Sequence, residues 1–163
     1  MEISPKLDMP WEAWDLSVLH LAKNIVAVAD QWQPKRLIGI TRGGVIAAVQ
    51  LSHLLDIPYT HTIHASVYDK RTELGIDPKL VLNSPPSFTK EEQRTSLFID
   101  DMLDDGFTIR SLSGIYPWAR FAVPVARLAG YEKIDQRLMW AHPGTLVKHS
   151  LWITFPWEKS YAK

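Results

Sequence analysis

The chain contains no cysteine, which excludes disulfide bridges and thiolate metal sites. It has no excess charge of either sign: 18 Lys and Arg stand against 18 Asp and Glu. No block of like charge stands out either, so no broad nucleic-acid surface is expected, while a local basic pocket is compatible with this balance. No uninterrupted apolar run approaches the ~20 residues that a membrane span needs. The opening Met-Glu-Ile-Ser-Pro-Lys lacks a secretory pattern. Repeats and low-complexity tracts are missing as well. These absences lead to the expectation of a cytoplasmic protein that does not engage a membrane. At 163 residues it forms one domain with a proper buried core.

Tryptophan is abundant, with 7 in the chain. Trp118, Trp140, Trp152 and Trp157 gather towards the end, where packing in the core or at a subunit interface is the expected role. Apolar residues Val18, Leu21, Ala22, Ile25, Ala29 and Trp32 recur at helical spacing, which predicts a helix over residues 11–32. Leu37 to Ile40 predicts a strand, Val45 to Leu55 a helix, and Ile57 to Ser66 a second strand. Residues 67–94 mix charges with Gly75, Pro78, Pro85 and Pro86 and show little periodicity, which predicts a long flexible loop. A strand ending at Asp100, a helix over Thr108 to Ile115 and a strand over Phe121 to Ala126 follow. Strand-like runs near Arg137 to Ala141 and Leu151 to Phe155 close the chain. This alternation predicts an α/β fold with a mostly parallel sheet covered by helices on both faces.

Two segments carry chemistry. In Thr41-Arg42-Gly43-Gly44, between a predicted strand and helix, glycines let a ligand approach the backbone and the helix start offers free N–H groups to an anion. Arg42 adds a permanent charge suited to phosphate oxygens. In Leu97-Phe98-Ile99-Asp100-Asp101-Met102-Leu103-Asp104-Asp105-Gly106-Phe107-Thr108 an apolar strand runs straight into two pairs of acids and then a Gly-x-Thr turn. Carboxylates at a strand end beside a phosphate-sized turn fit a sugar phosphate, with the acids on hydroxyls and a divalent metal nearby. Among the 6 His, His61 and His64 lie three apart in a predicted strand and face opposite ways, so they cannot share a metal from there. His142 and His149 read as hydrogen-bonding surface residues.

The segment from Ile99 to Thr108 resembles the 5-phosphoribosyl pyrophosphate (PRPP) signature of type I phosphoribosyltransferases, and most closely their bacterial xanthine-guanine branch. Arg42-Gly43-Gly44 falls at the place of the pyrophosphate loop, and Tyr68-Asp69 at the opening of the flexible loop. Ala126-Arg127-Leu128-Ala129-Gly130 takes the place of Ala-Lys-Pro-Ala-Gly, and Trp152-Ile153 before Pro156-Trp157 matches the hood. The resemblance implies the type I phosphoribosyltransferase fold over a single domain, 1–163. Its core would span about 10–128, a small C-terminal hood about 129–157 and the flexible loop about 67–94. It implies transfer of a phosphoribosyl group from PRPP to a 6-oxopurine (guanine, xanthine or hypoxanthine), with Mg²⁺ as cofactor and a dimer or tetramer as the assembly. In that frame Asp100 and Asp101 take the ribose hydroxyls and the metal. Asp105, Gly106, Phe107 and Thr108 hold the 5′-phosphate, and Thr41, Arg42 and Gly43 hold pyrophosphate. Asp104 is the catalytic residue near purine N7, as general base or electrostatic partner; Arg127 meets the C6 oxygen, Trp152 stacks on the base and Ile153 offers backbone contact. Lys70 and Arg71 are candidates to reach pyrophosphate. A PRPP-sensing regulator of the same fold, or an enzyme for another nucleobase, are the alternatives.

The sequence departs from the signature at two positions: Asp105 stands where Thr is usual, and Phe107 where Gly is common. An ionised Asp cannot donate to a phosphate, so Asp105 is expected to turn outward.

Overall fold

The computed structural model describes residues 6–68, 79–83, 85–148 and 152–158. The chain begins with β1 (Lys6–Asp8), α1 (Trp11–Ala27), β2 (Arg36–Thr41), α2 (Gly43–Leu54), β3 (Thr60–Tyr68) and β4 (Lys79–Asn83). The middle holds α3 (Lys90–Arg94), β5 (Ser96–Ile99), β6 (Met102–Leu103), α4 (Phe107–Ile115) and β7 (Arg120–Ala122). It ends with β8 (Val125–Arg127), α5 (Leu128–Lys133), β9 (Thr145–Val147), β10 (Trp152–Thr154) and a 3-10 turn, Pro156–Glu158.

The main sheet has the order β4-β3-β2-β5-β7, parallel except for the antiparallel edge strand β4. Its central strands are apolar on both faces, as two covered faces require. Leu37 of β2 and Leu97 and Ile99 of β5 pack with Leu21 and Ile25 of α1 and Leu51 of α2. The alternate residues Ile38, Ile40 and Phe98 pack on the other side with Ile109 and Leu112 of α4. Trp14 is fully buried and joins α1 to the chain's end: its ring meets Phe155 and Trp157 edge-on at 5.6 and 4.5 Å, and its Nε1 donates to Gln50 at 2.7 Å. Among the described residues no helix is long and apolar enough to cross a membrane.

The structure differs from the expectation in several places, among them the end of α1, at Ala27 rather than residue 32. The strand expected over Phe121 to Ala126 is two strands: β7 joins the main sheet, and β8 joins a second parallel sheet of order β6-β8-β9. Pro124, which has no N–H for a ladder, sits at the break. The run from Arg137 to Ala141 is a turn, because the Asp135 carboxylate accepts from the Arg137 amide at 2.9 Å; only Met139 bridges, to Phe121. Residues 67–94 are not one irregular loop among the described residues. β3 runs on to Tyr68 and pairs with β4, and α3 starts on a capping box in which Thr89 and Glu92 satisfy each other's amides. Finally, the start of the chain joins its end: β1 pairs in parallel with β10. Asp69, Lys70, Arg71 and His149 lie outside the described residues.

Candidate active site

The parallel strands β2 and β5 end side by side, and their carboxyl ends carry Thr41 and the Asp100-Asp101 pair. Here α2 starts directly against β5. A Cβ on Gly44 would collide with the Ile99 carbonyl, and one on Gly43 would overlap the Asp101 carboxylate. Glycine at both positions is what allows Arg42 and the first turn of α2 to sit beside the acids. The Thr41–Arg42 peptide is cis, and the Thr41 hydroxyl lies 2.8 Å from Nδ1 of His64 on β3. Thr41, Arg42, Gly43, Asp100, Asp101 and Thr108 form one wall of a cleft of about 770 Å³. Lys6, Trp152, Thr154, Trp157 and Glu158 form the hood wall. The Trp152 side chain is free to meet a planar ligand, being 60% exposed. Trp157 is fixed, stacked on Phe155 at 4.8 Å.

Asp100 and Asp101 are half-buried and adjacent. Burial pushes the Asp100 carboxyl well above its ordinary value, and the neighbouring Asp101 charge pushes it further. The Asp101 amide, donating to Asp100 Oδ1 at 3.0 Å, opposes that rise in part. Asp101 is raised chiefly by burial, with repulsion from Glu158 adding to it. Such a pair gains from any cation or hydroxyl donor that enters the cleft. Among the described residues, no group of three or more His, Cys, Asp or Glu is arranged to hold a metal ion. The Asp100 and Asp101 carboxylates are hard oxygen donors of the kind that Mg²⁺ prefers.

Beyond β6 the chain turns through Asp104 and Asp105 into α4. Gly106 caps the helix in the left-handed region, φ 80°, where a side chain would be strained. Asp105 is exposed, as expected, but its carboxylate does not simply point outward. It folds back and accepts from the Phe107 amide at 2.8 Å. One N–H expected to face a phosphate is thereby occupied, because an unpaired amide at a helix start attracts whichever anion is nearest. Arg110, unforeseen in the sequence, reaches back one turn and donates to the Asp105 carbonyl at 2.8 Å. A small pocket of about 60 Å³ lies between Asp100, Asp104 and the Phe107-Thr108 turn.

Asp104 and Arg127 form an ion pair through Nε and Oδ1. Strand register explains it: Leu103 of β6 lies opposite Ala126 of β8, so the next residues along each strand are neighbours. The Arg127 side chain is mostly buried, at 16% exposure, while that of Asp104 is open, at 65%. Gly130 backs onto Asp104 so tightly that a Cβ there would overlap its carbonyl. Ile153 is buried in the core and lines neither the cleft nor the small pocket. The structure thus gathers Thr41, Arg42, Gly43, Asp100, Asp101, Thr108 and Trp152 around the cleft, and sets Asp104, Asp105, Gly106 and Phe107 around the small pocket next to it. Trp157, already part of the hood match, also lines the cleft, as do Lys6 and Glu158, which no local motif marks; the place of Lys6 depends on pairing between the two ends of the chain.

A family model, the phosphoribosyl transferase domain, matches residues 11–158. The chain belongs to this family. It is a phosphoribosyltransferase enzyme. Over 124 residues it is 31% identical to a xanthine-guanine phosphoribosyltransferase of Cereibacter sphaeroides, covering 76% of this chain and 69% of that one. Its fold is that of a purine phosphoribosyltransferase from Pyrococcus horikoshii, with TM-score 0.68, 23% identity and 97% of each chain covered. A hypothetical protein from Neisseria gonorrhoeae with bound ppGpp shares the fold at TM-score 0.77 and 19% identity, over 98% of this chain and 92% of that one. The phosphoribosyltransferase match includes both acid pairs and the Arg42-Gly43-Gly44 turn, and begins after β1.

Proposed function

We propose that the enzyme transfers the 5-phosphoribosyl group of PRPP to a 6-oxopurine (guanine, xanthine or hypoxanthine) and releases pyrophosphate, as a step of purine salvage. The observation that carries this reading is the Asp104–Arg127 pair. A guanidinium and a carboxylate side by side complement one edge of a 6-oxopurine: the C6 oxygen accepts from Arg127 while an N7–H donates to Asp104. Adenine would present its amino group to Arg127, donor against donor.

In the reaction, the bond from ribose C1 to the pyrophosphate oxygen breaks and a bond from C1 to purine N9 forms. The ring proton at N7 passes to Asp104. The transition state has ribosyl-cation character, so positioning and charge do most of the catalysis. Asp100 and Asp101 hold the ribose hydroxyls and are the residues that would bind Mg²⁺, which when bound supplies charge to balance the pyrophosphate. The α4 amides with the Thr108 hydroxyl hold the 5′-phosphate, and Arg42 with the first amides of α2 holds pyrophosphate. Trp152 stacks on the base, and the Ile153 backbone flanks it. A dimer or tetramer belongs to the same reading, supported by the exposed apolar residues Leu16, Val26, Val49 and Leu54 on α1 and α2.

Incubation with PRPP, Mg²⁺ and, in turn, guanine, xanthine, hypoxanthine, adenine, uracil and orotate tests the proposal. Nucleotide should form with 6-oxopurines alone. Product from a pyrimidine base would transfer the enzyme to another acceptor, and no product with any base would leave a PRPP-binding protein with little catalysis.

A further inference from the structure

Lys6 reaches the cleft because β1, a strand outside the family match, lies alongside β10. Its register partner is Trp152. Side chains at paired positions of neighbouring strands leave on the same face, and the strands run about 4.8 Å apart. Lys6 and Trp152 both line the cleft, so the ammonium is carried beside the exposed indole. Trp152 packs against no other ring among the described residues, and Lys6 makes no ion pair with a described residue.

We propose that Lys6 sets the preference among 6-oxopurines by presenting its ammonium to the C2 substituent of a base stacked on Trp152. The inference rests on the function proposed above and specifies its acceptor. A purine held by its C6–N7 edge on Arg127 and Asp104 turns the C2–N3 edge away from that pair. The chemistry at C2 then decides what a lysine there selects. Xanthine carries an oxygen at C2, and its ring loses a proton near neutral pH, so it offers Lys6 both an acceptor and a negative charge. Hypoxanthine offers only hydrogen at C2. Guanine offers an amino group, donor against donor. The preferred acceptor is xanthine.

The test is steady-state kinetics of the whole enzyme and of Lys6→Met, which keeps the length of the side chain and removes the charge. The efficiency with xanthine should fall by about 10- to 100-fold, the scale of one charge-assisted hydrogen bond. Guanine should be unchanged or improved, and the KM for PRPP should stay within about twofold. In the wild type the KM for xanthine should fall as pH rises through the ionisation of the base, and Lys6→Met should flatten that profile. Lys6→Arg should retain the preference. An equal loss for all three bases, or a raised KM for PRPP with an unmoved base preference, overturns the inference while leaving the function standing. A wild type inactive on every 6-oxopurine overturns both.

Discussion

The Asp105 carboxylate accepts the amide hydrogen of Phe107 at 2.8 Å, so the turn that should greet a phosphate already holds a negative charge of its own. On the proposed reading, an incoming 5′-phosphate must displace that carboxylate or lie next to it. Two unit charges about 4 Å apart repel by roughly 4 kcal/mol at an effective dielectric near 20. Asp105 is exposed, and solvent brings the effect down to about 1 kcal/mol. Asp105→Thr should therefore lower the KM for PRPP by about two- to fivefold, or at least not raise it, with kcat unchanged. Kinetics at varied PRPP measure this. A severe loss of affinity would mean that the Asp105 turn, together with Arg110 on its carbonyl, shapes the site in a way that outweighs its charge.

Asp104 stands in an ion pair but remains open, so its carboxylate can exchange Arg127 for a substrate edge without moving the backbone. Asp104→Asn keeps the shape and removes the proton acceptor. Turnover should drop by about 10²-fold or more, the usual range for a general base. The KM for PRPP should change little, because Asp104 is not assigned to the sugar phosphate. Near-normal turnover would remove Asp104 from the chemistry.

Asp100 gives a prediction about pH. Its carboxyl is raised above the ordinary value of 3.8 by burial first and Asp101 second. The folded chain therefore keeps this proton where the unfolded chain has lost it. The stabilisation is fully present below about pH 4 and is lost as pH rises through the raised value. Above that range the ionised pair strains the fold. Asp100→Asn should raise the Tm at pH 7.5 by a few degrees, with about 2–4 °C for each kcal/mol relieved, and should change it little at pH 4. Thermal unfolding of both proteins at the two pH values checks this. The same substitution should abolish tight PRPP binding. A Tm that drops at pH 7.5 would show that the carboxylate is already well compensated in the free protein.

What could be read from the sequence was local. Leu97 to Asp101 carries strand, burial and chemistry in consecutive residues, and Gly43-Gly44 marks the close approach at the next strand end. Two further elements had signals: Thr89-Lys90-Glu91-Glu92 is a capping box ahead of α3, and Pro124 marks the switch between sheets. The rest depends on register. Nothing near Lys6 or Trp152 tells that they are partners 146 positions apart in number, because that pairing exists only once both ends meet over the sheet edge. The Asp104–Arg127 pair follows from Leu103 facing Ala126, which no periodicity reveals. The Asp105 turn is a competition for one amide, settled by which anion is nearest.

The two glycines of the Arg42-Gly43-Gly44 turn should fail differently when replaced by alanine. A Cβ at Gly44 meets the Ile99 carbonyl and comes within 2.9 Å of the Asp100 Cα, both backbone atoms at the end of β5, which cannot yield. Gly44→Ala should cost about 1–3 kcal/mol of stability or more and lower the Tm accordingly. A Cβ at Gly43 meets the Asp101 side chain, overlapping its carboxylate and coming within 2.8 Å of its Cβ. The carboxylate can rotate away but the Cβ is held by the backbone and must shift with it, so Gly43→Ala should lower the Tm, though less than Gly44→Ala, while it loses PRPP affinity and turnover. Measuring Tm and kinetics on the two variants side by side separates packing from function. If Gly43→Ala is fully active, the position of the Asp101 carboxylate under α2 does not matter to catalysis, and its place in the site falls.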